Sequence, residues 1–183
     1  MKIRIGGLDP AMRNFGMCKG TLDTVQDGFT DIEINLVTTK ANPKKSVVRK
    51  NILDLNCAKT LLEATKTFMA DVDVICVEMP VGSQSAASMK SYGMCIAICA
   101  ALEKPLIYVT ASEVKLYGHG NKNATKQQMI DWAVSEFPEL PWLTHKKNGE
   151  TILNSSNEHM ADALAAVIAG VNSDQFTPFK ILR

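Results

Sequence analysis

A chain of 183 residues with 46% hydrophobic and 21% charged residues has the composition of an ordinary folded domain, long enough to bury a core without disulfide or metal staples. Its formal net charge of +1 selects neither acidic nor basic partners, and no apolar run is long enough to cross a bilayer. The five cysteines are odd in number and form no CxxC pair, which favours buried free thiols over disulfides or zinc. One domain over residues 1–183 is expected. The sequence opens on a strand with no leader-like apolar core, so a cytoplasmic, non-secreted setting with no membrane partner is expected too.

The first forty residues read as three strands, roughly 2–9, 15–22 and 31–38, with a turn containing Gln26-Asp27-Gly28 that suits a hairpin. Ile3, Ile5 and Leu8 are apolar, and Asp9 stands where the first strand should stop, just before Pro10. A loop around Asn42 and Pro43 leads to a helix over 51–70, where Ile52, Leu55, Ala58, Leu62 and Thr65 recur at helical spacing. VDVICVE, residues 72–78, is a continuous apolar strand of the kind buried on both faces, and it ends on Glu78. A second helix over about 85–102 is rich in small residues and Met, and PLIYVT is the next buried strand. Thr110 or Ser112 caps a short helix, and Thr125 caps another running to about Phe137. A last helix starts near Ser156 or Asn157 and runs to about Val171. The order predicts an α/β fold: a mixed five-stranded sheet, three strands antiparallel and then two parallel, with helices on both faces.

Three carboxylates fall at element ends near one lip of that sheet. Asp9 and Glu78 end strands that parallel pairing would set side by side, and ligand groups gather at the carboxyl ends of such strands. Asp162 lies on a helix that is otherwise mostly alanine, valine, leucine and isoleucine, with Glu158 and His159 four and three residues before it on the same face. Singly, each has a plainer explanation: an Asx turn for Asp9, helix-terminus charge for Glu158, a satisfied histidine for His159. Together they are an unusual set, because buried acids that share a site repel and call for a hard divalent cation. Positive charge is concentrated as well. Residues 40–50 carry five bases and no acid, including Lys44 and Lys45. A second basic segment holds Lys115, Lys122 and Lys126, and a third His145, Lys146 and Lys147. Any one such run is usually a solvated face; three of them, expected on loops, favour a focused positive surface.

On these residues the chain resembles the RuvC family of Holliday-junction resolvases, within the RNase H-like superfamily. IGGLDPAMRNFG resembles the family's first-strand motif, with Asp9 as its acid, and ICVEMPV its second acidic strand end at Glu78. ASEVKLYGHGNKNATKQQM resembles the segment in which two lysines eleven apart approach DNA, here Lys115 and Lys126. EHMADALAAVIAG resembles the terminal helix, with Asp162 as the last acid and His159 at a position that is Asp in many members. Members that wedge an aromatic into the junction carry it just after the second acid, where this chain has Val81.

The resemblance implies a structure-selective endonuclease that resolves four-way junctions into ends with 5′ phosphates and 3′ hydroxyls. Asp9, Glu78, His159 and Asp162 would be catalytic and would hold two Mg²⁺ (or Mn²⁺) ions roughly 3.5–4 Å apart. Lys115, Lys122 and Lys126 are candidate DNA contacts, as are Lys44 and Lys45, which no family motif covers. A homodimer is implied by the two strands a junction offers, with the small-residue and Met face of the 85–102 helix as candidate interface. Three other readings remain: a relative acting on flaps, forks or other branched DNA, a non-catalytic branched-DNA binder, and a kinase of the actin-like fold.

Overall fold

The computed structural model describes residues 2–25, 28–40, 48–82 and 85–181. Its main sheet has the order β3-β2-β1-β4-β5. Strands β1 (Lys2–Asp9), β2 (Asn14–Asp23) and β3 (Gly28–Thr38) run antiparallel, and β4 (Val74–Glu78) and β5 (Leu106–Val109) add in parallel to β1. Helices α1 (Lys50–Phe68) and α2 (Ala86–Ala100) belong to one face. The other is covered by α3 (Ala111–His119), α4 (Lys126–Glu136) and α5 (Asn157–Val171). A 3-10 turn (Asp174–Phe176) and α6 (Thr177–Ile181) close the described chain. No helix among the described residues is long and apolar enough to cross a membrane.

The two-residue period of the strands assigns each side chain to a layer. In β4, Val74 and Cys76 join the core under α5, whereas Ile75 and Val77 join the core under α1 and α2. This strand is therefore buried on both faces, as its unbroken apolar run predicts. The same parity governs the acids. Ile3, Ile5 and Gly7 face α5, so Asp9 continues that face, and Glu78 continues the face of Val74 and Cys76. Parallel pairing sets Leu8 opposite Val77, so the two acids follow side by side at the strands' carboxyl ends.

Helices α3 and α4 begin where their capping residues stand. Thr110 and Thr125 each form a capping box, with Glu113 and Gln128 respectively, so Thr110 and not Ser112 is the cap of α3. Four of the cysteines are buried, all five are free, and Cys57 is half-buried. Burial pushes the Cys76 thiol up to about 12, which leaves it an apolar packing group.

Two expectations need correction. The apolar stripe of α1 does not sink fully into the core: Leu61 and Thr65 are buried, while Ile52 and Leu55 stay exposed. Two of the basic clusters are not confined to loops: Lys115 and Lys126 stand on α3 and α4. His145, Lys146 and Lys147 lie on β6 (Thr144–Lys147), paired with β7 (Glu150–Leu153). Asn148 and Gly149, both at positive φ, form the tight connection, and Asn-Gly is the strongest short hairpin signal a sequence carries. The turn proposed at Gln26 and Asp27 lies outside the described residues.

Candidate active site

The lip of the sheet becomes a site because α5 lies almost on the backbone of β1 and β2. A Cβ on Gly7 would meet the Ala163 carbonyl oxygen at 2.1 Å, and one on Gly16 would meet the His159 carbonyl oxygen at 2.0 Å. Glycine at both positions lets the helix descend until His159 and Asp162 reach the level of Asp9 and Glu78. The Cys18 thiol, donating to the Ala163 carbonyl at 3.2 Å, marks the same close approach.

A chain of charges runs across this contact. His159 Nδ1 donates to Asp9 Oδ2 at 2.6 Å, the only direction open to an ionised carboxylate. Its Nε2 faces Glu158 Oε1 at 3.8 Å, and that oxygen also accepts from Lys126 Nζ at 2.5 Å. Burial alone would lower the imidazole's pKa, but the hydrogen bond and charge of Asp9, with the charge of Glu158, outweigh it and hold it above the ordinary value. Lys126 is likewise held above its ordinary value, first by its bond to Glu158.

The remaining acids are short of partners. Burial, then the charges of Asp9, Glu78 and Glu158, push the Asp162 carboxyl up to about 8. Burial, then Asp9, push Glu78 up to about 7. Lys115 on α3 eases both and so faces the site. Asp162 Oδ1 is buried without any hydrogen-bond partner, which an acceptor rarely tolerates.

Among the described residues, no group of three or more His, Cys, Asp or Glu side chains is arranged as a ready metal cage. The chemistry of the donors nevertheless fits a hard divalent cation. Asp9, Glu78 and Asp162 offer oxygen ligands, they repel one another without positive charge, and one of their oxygens is buried and unpartnered.

This electrostatic strain has a measurable consequence. Asp162 and Glu78, with ordinary values of 3.8 and 4.5, bind their protons more tightly in the folded chain, and so does His159. Their contribution to stability is present at low pH and is lost as pH rises through about 7 to 8. The metal-free protein should therefore melt at a lower temperature at pH 8.5 than at pH 5.5. Saturating Mg²⁺ or Mn²⁺ should raise the melting temperature by about 5–10 °C at pH 8.5 and by much less at pH 5.5. A cation effect of equal size at both pH values in a thermal scan would count against metal binding by these acids.

Lys122 is exposed in the turn between α3 and α4, and Lys126 is exposed at its stem but tied to Glu158. Lys44 and Lys45 lie outside the described residues. Spacing already puts Glu158 on the face of Asp162, and the fold adds its contacts to His159 and Lys126. Tyr92 of α2 lines a cavity of about 310 Å³ together with Asp9 and Glu78, and no motif marks it.

No protein-family model and no curated protein matches the sequence. Solved structures do. RuvC of Thermus thermophilus in complex with a Holliday-junction substrate superposes with a TM-score of 0.60 at 13% identity, over 91% of this chain and 92% of that one. The fowlpox virus resolvase, solved with Holliday-junction DNA, gives 0.54 at 16% identity over 99% and 100%. The yeast mitochondrial Holliday-junction resolvase Ydc2 gives 0.55 at 14% identity over 97% and 82%. At these identities the likeness is one of fold, and it extends across nearly the whole chain, including the strands and helix that bear the four candidate residues. The chain has the RNase H-like fold of the RuvC-type Holliday-junction resolvases.

Proposed function

We propose that the chain is a metal-dependent endonuclease that cuts branched DNA, four-way junctions above all. The observation that carries this reading is the convergence of Asp9, Glu78 and Asp162, with an orphaned buried oxygen, at the carboxyl end of a resolvase-type sheet. Asp9, Glu78 and Asp162 would hold two divalent cations, Mg²⁺ or Mn²⁺, which when bound supply an acidified water and charge neutralisation at the leaving oxygen. Asp9 is the acid whose charge reaches both Glu78 and Asp162. His159, fixed by Asp9, is placed to take or orient a proton at Nε2, and Glu158 keeps that nitrogen facing a negative charge. Glu158 also anchors Lys126 beside the acids, and Lys115 approaches them from α3. Both lysines are set to neutralise backbone phosphates and so position the strand. The products would carry 5′ phosphates and 3′ hydroxyls.

A homodimer fits the exposed apolar residues of the α1/α2 layer. Ile52 and Leu55 of α1 and Met89 and Ile96 of α2 all stand open to solvent. An apolar depression between the two helices is lined by Leu55, Leu62, Met94 and Ile98. Action on flaps or forks is the second reading, favoured by one observation: the position just after Glu78 offers the exposed aliphatic Val81 and no ring.

A cleavage assay with Mg²⁺ on a four-way junction, a flap, a fork and linear duplex tests the proposal. The junction is expected to be cut fastest and the duplex to survive. The lysines give a binding test. Lys115→Ala and Lys126→Ala should each weaken junction affinity at low salt. Each should also flatten the slope of log affinity against log salt by about one unit. A slope that stays put in the double variant would remove both lysines from the DNA contact.

A further inference from the structure

We propose that the cleft beside Asp9 and Glu78 is a nucleoside subsite, in which Tyr92 stacks on a base next to the phosphate that is cut. This rests on the nuclease reading above and names what that site holds. The cleft has a volume of about 310 Å³, and its lining combines the two acids with the apolar groups of Met79, Pro80, Val81 and Tyr92. Such a volume lies at the small end of ligand pockets, enough for one nucleoside and far too little for a duplex. The two kinds of lining suit the two halves of a nucleotide. Carboxylates that gather cations attract the phosphate end, and the ring and aliphatic wall offer the base a dry face.

Tyr92 is placed firmly enough to do this. It sits on α2, whose N-terminus is capped by Ser85 accepting from the Ser88 backbone N–H. Cys95, Ile98 and Cys99 on the same helix are buried in the core under the sheet. Tyr92 itself is half-buried, and it also borders a second cavity of about 200 Å³ next to Pro10, Met12 and Arg13. Tyr92 thus stands between two hollows beside the Asp9 turn, on a helix seated in the core. Stacking is tolerant of base identity, since every base has a π-face, so the subsite contributes positioning more than sequence choice.

The test uses the full chain and a junction whose cleavage position has been mapped. Single-turnover cleavage is measured on the normal junction and on junctions with an abasic site at either nucleotide flanking the cut. Tyr92→Ala is expected to cleave the normal junction roughly tenfold more slowly, and Tyr92→Phe, which keeps the ring, to recover most of that loss. Wild type should slow by a similar factor when one of the flanking bases is missing, while Tyr92→Ala should show no further loss on that same substrate. If Tyr92→Ala is as fast as wild type, the subsite is refuted. It is equally refuted if the variant's loss multiplies with that of the abasic site, because the ring and the base then act independently. A wild-type chain that cuts none of the branched substrates would overturn the nuclease reading itself and take the subsite with it. Cleavage by wild type with an indifferent Tyr92→Ala overturns the subsite alone.

Discussion

Asp9→Asn is expected to slow junction cleavage by about a thousandfold or more while leaving junction binding intact or tighter. Charge stabilisation by bound cations is worth several kcal/mol in the transition state, and each 1.36 kcal/mol is about tenfold in rate. Asp9 stands at the centre of the acid cluster. It accepts from His159 at 2.6 Å, and its charge helps to raise both Glu78 and Asp162. Asparagine preserves shape but offers a weaker ligand and releases the imidazole from its ionic partner. DNA binding answers to the opposite sign. One negative charge fewer in the cluster lessens repulsion of the phosphates, so affinity measured without divalent cation should hold or improve. Equal losses of cleavage and binding, with a lowered melting temperature, would instead make Asp9 a structural residue.

Gly16→Ala is expected to destabilise the fold by about 3 kcal/mol, roughly 6–12 °C in melting temperature, and to impair cleavage beyond what the folded fraction explains. The new methyl would meet the His159 carbonyl carbon at 2.4 Å and its oxygen at 2.0 Å. These are backbone atoms, so no rotamer change relieves the clash, and the first turn of α5 must lift from β2. That movement pulls His159 away from Asp9. Gly7→Ala provides the control. Its clash, at 2.1 Å from the Ala163 carbonyl oxygen, falls one turn further along α5. A similar loss of stability is expected there, with a smaller loss of activity per folded molecule. Thermal scans paired with cleavage rates below the melting transition check both. If Gly16→Ala melts like wild type, the close seating of α5 on β2 is wrong.

What the sequence determined by itself is local and periodic. The apolar alternation of β1, the unbroken run of β4 and the capping residues Thr110 and Thr125 specify elements through interactions within a few residues of each other. Parity then carried Asp9 and Glu78 to one face and one lip, because a strand's side chains must alternate and parallel neighbours must share direction. The spacing of Glu158, His159 and Asp162 placed them on one helical face for the same reason. The Asn148-Gly149 hairpin was legible too, in a turn signal overshadowed by the basic residues beside it. Tertiary structure decided the rest. Whether His159 stands free or bonds Asp9, 150 positions away, depends on how far α5 descends onto Gly7 and Gly16. Lys126 meets Glu158 across 32 positions, and Tyr92 reaches the cleft only through the seating of α2. Contacts of that kind have no period. They arise from packing between elements, where a missing Cβ or a buried charge sets the distance, and only the assembled fold brings the partners together.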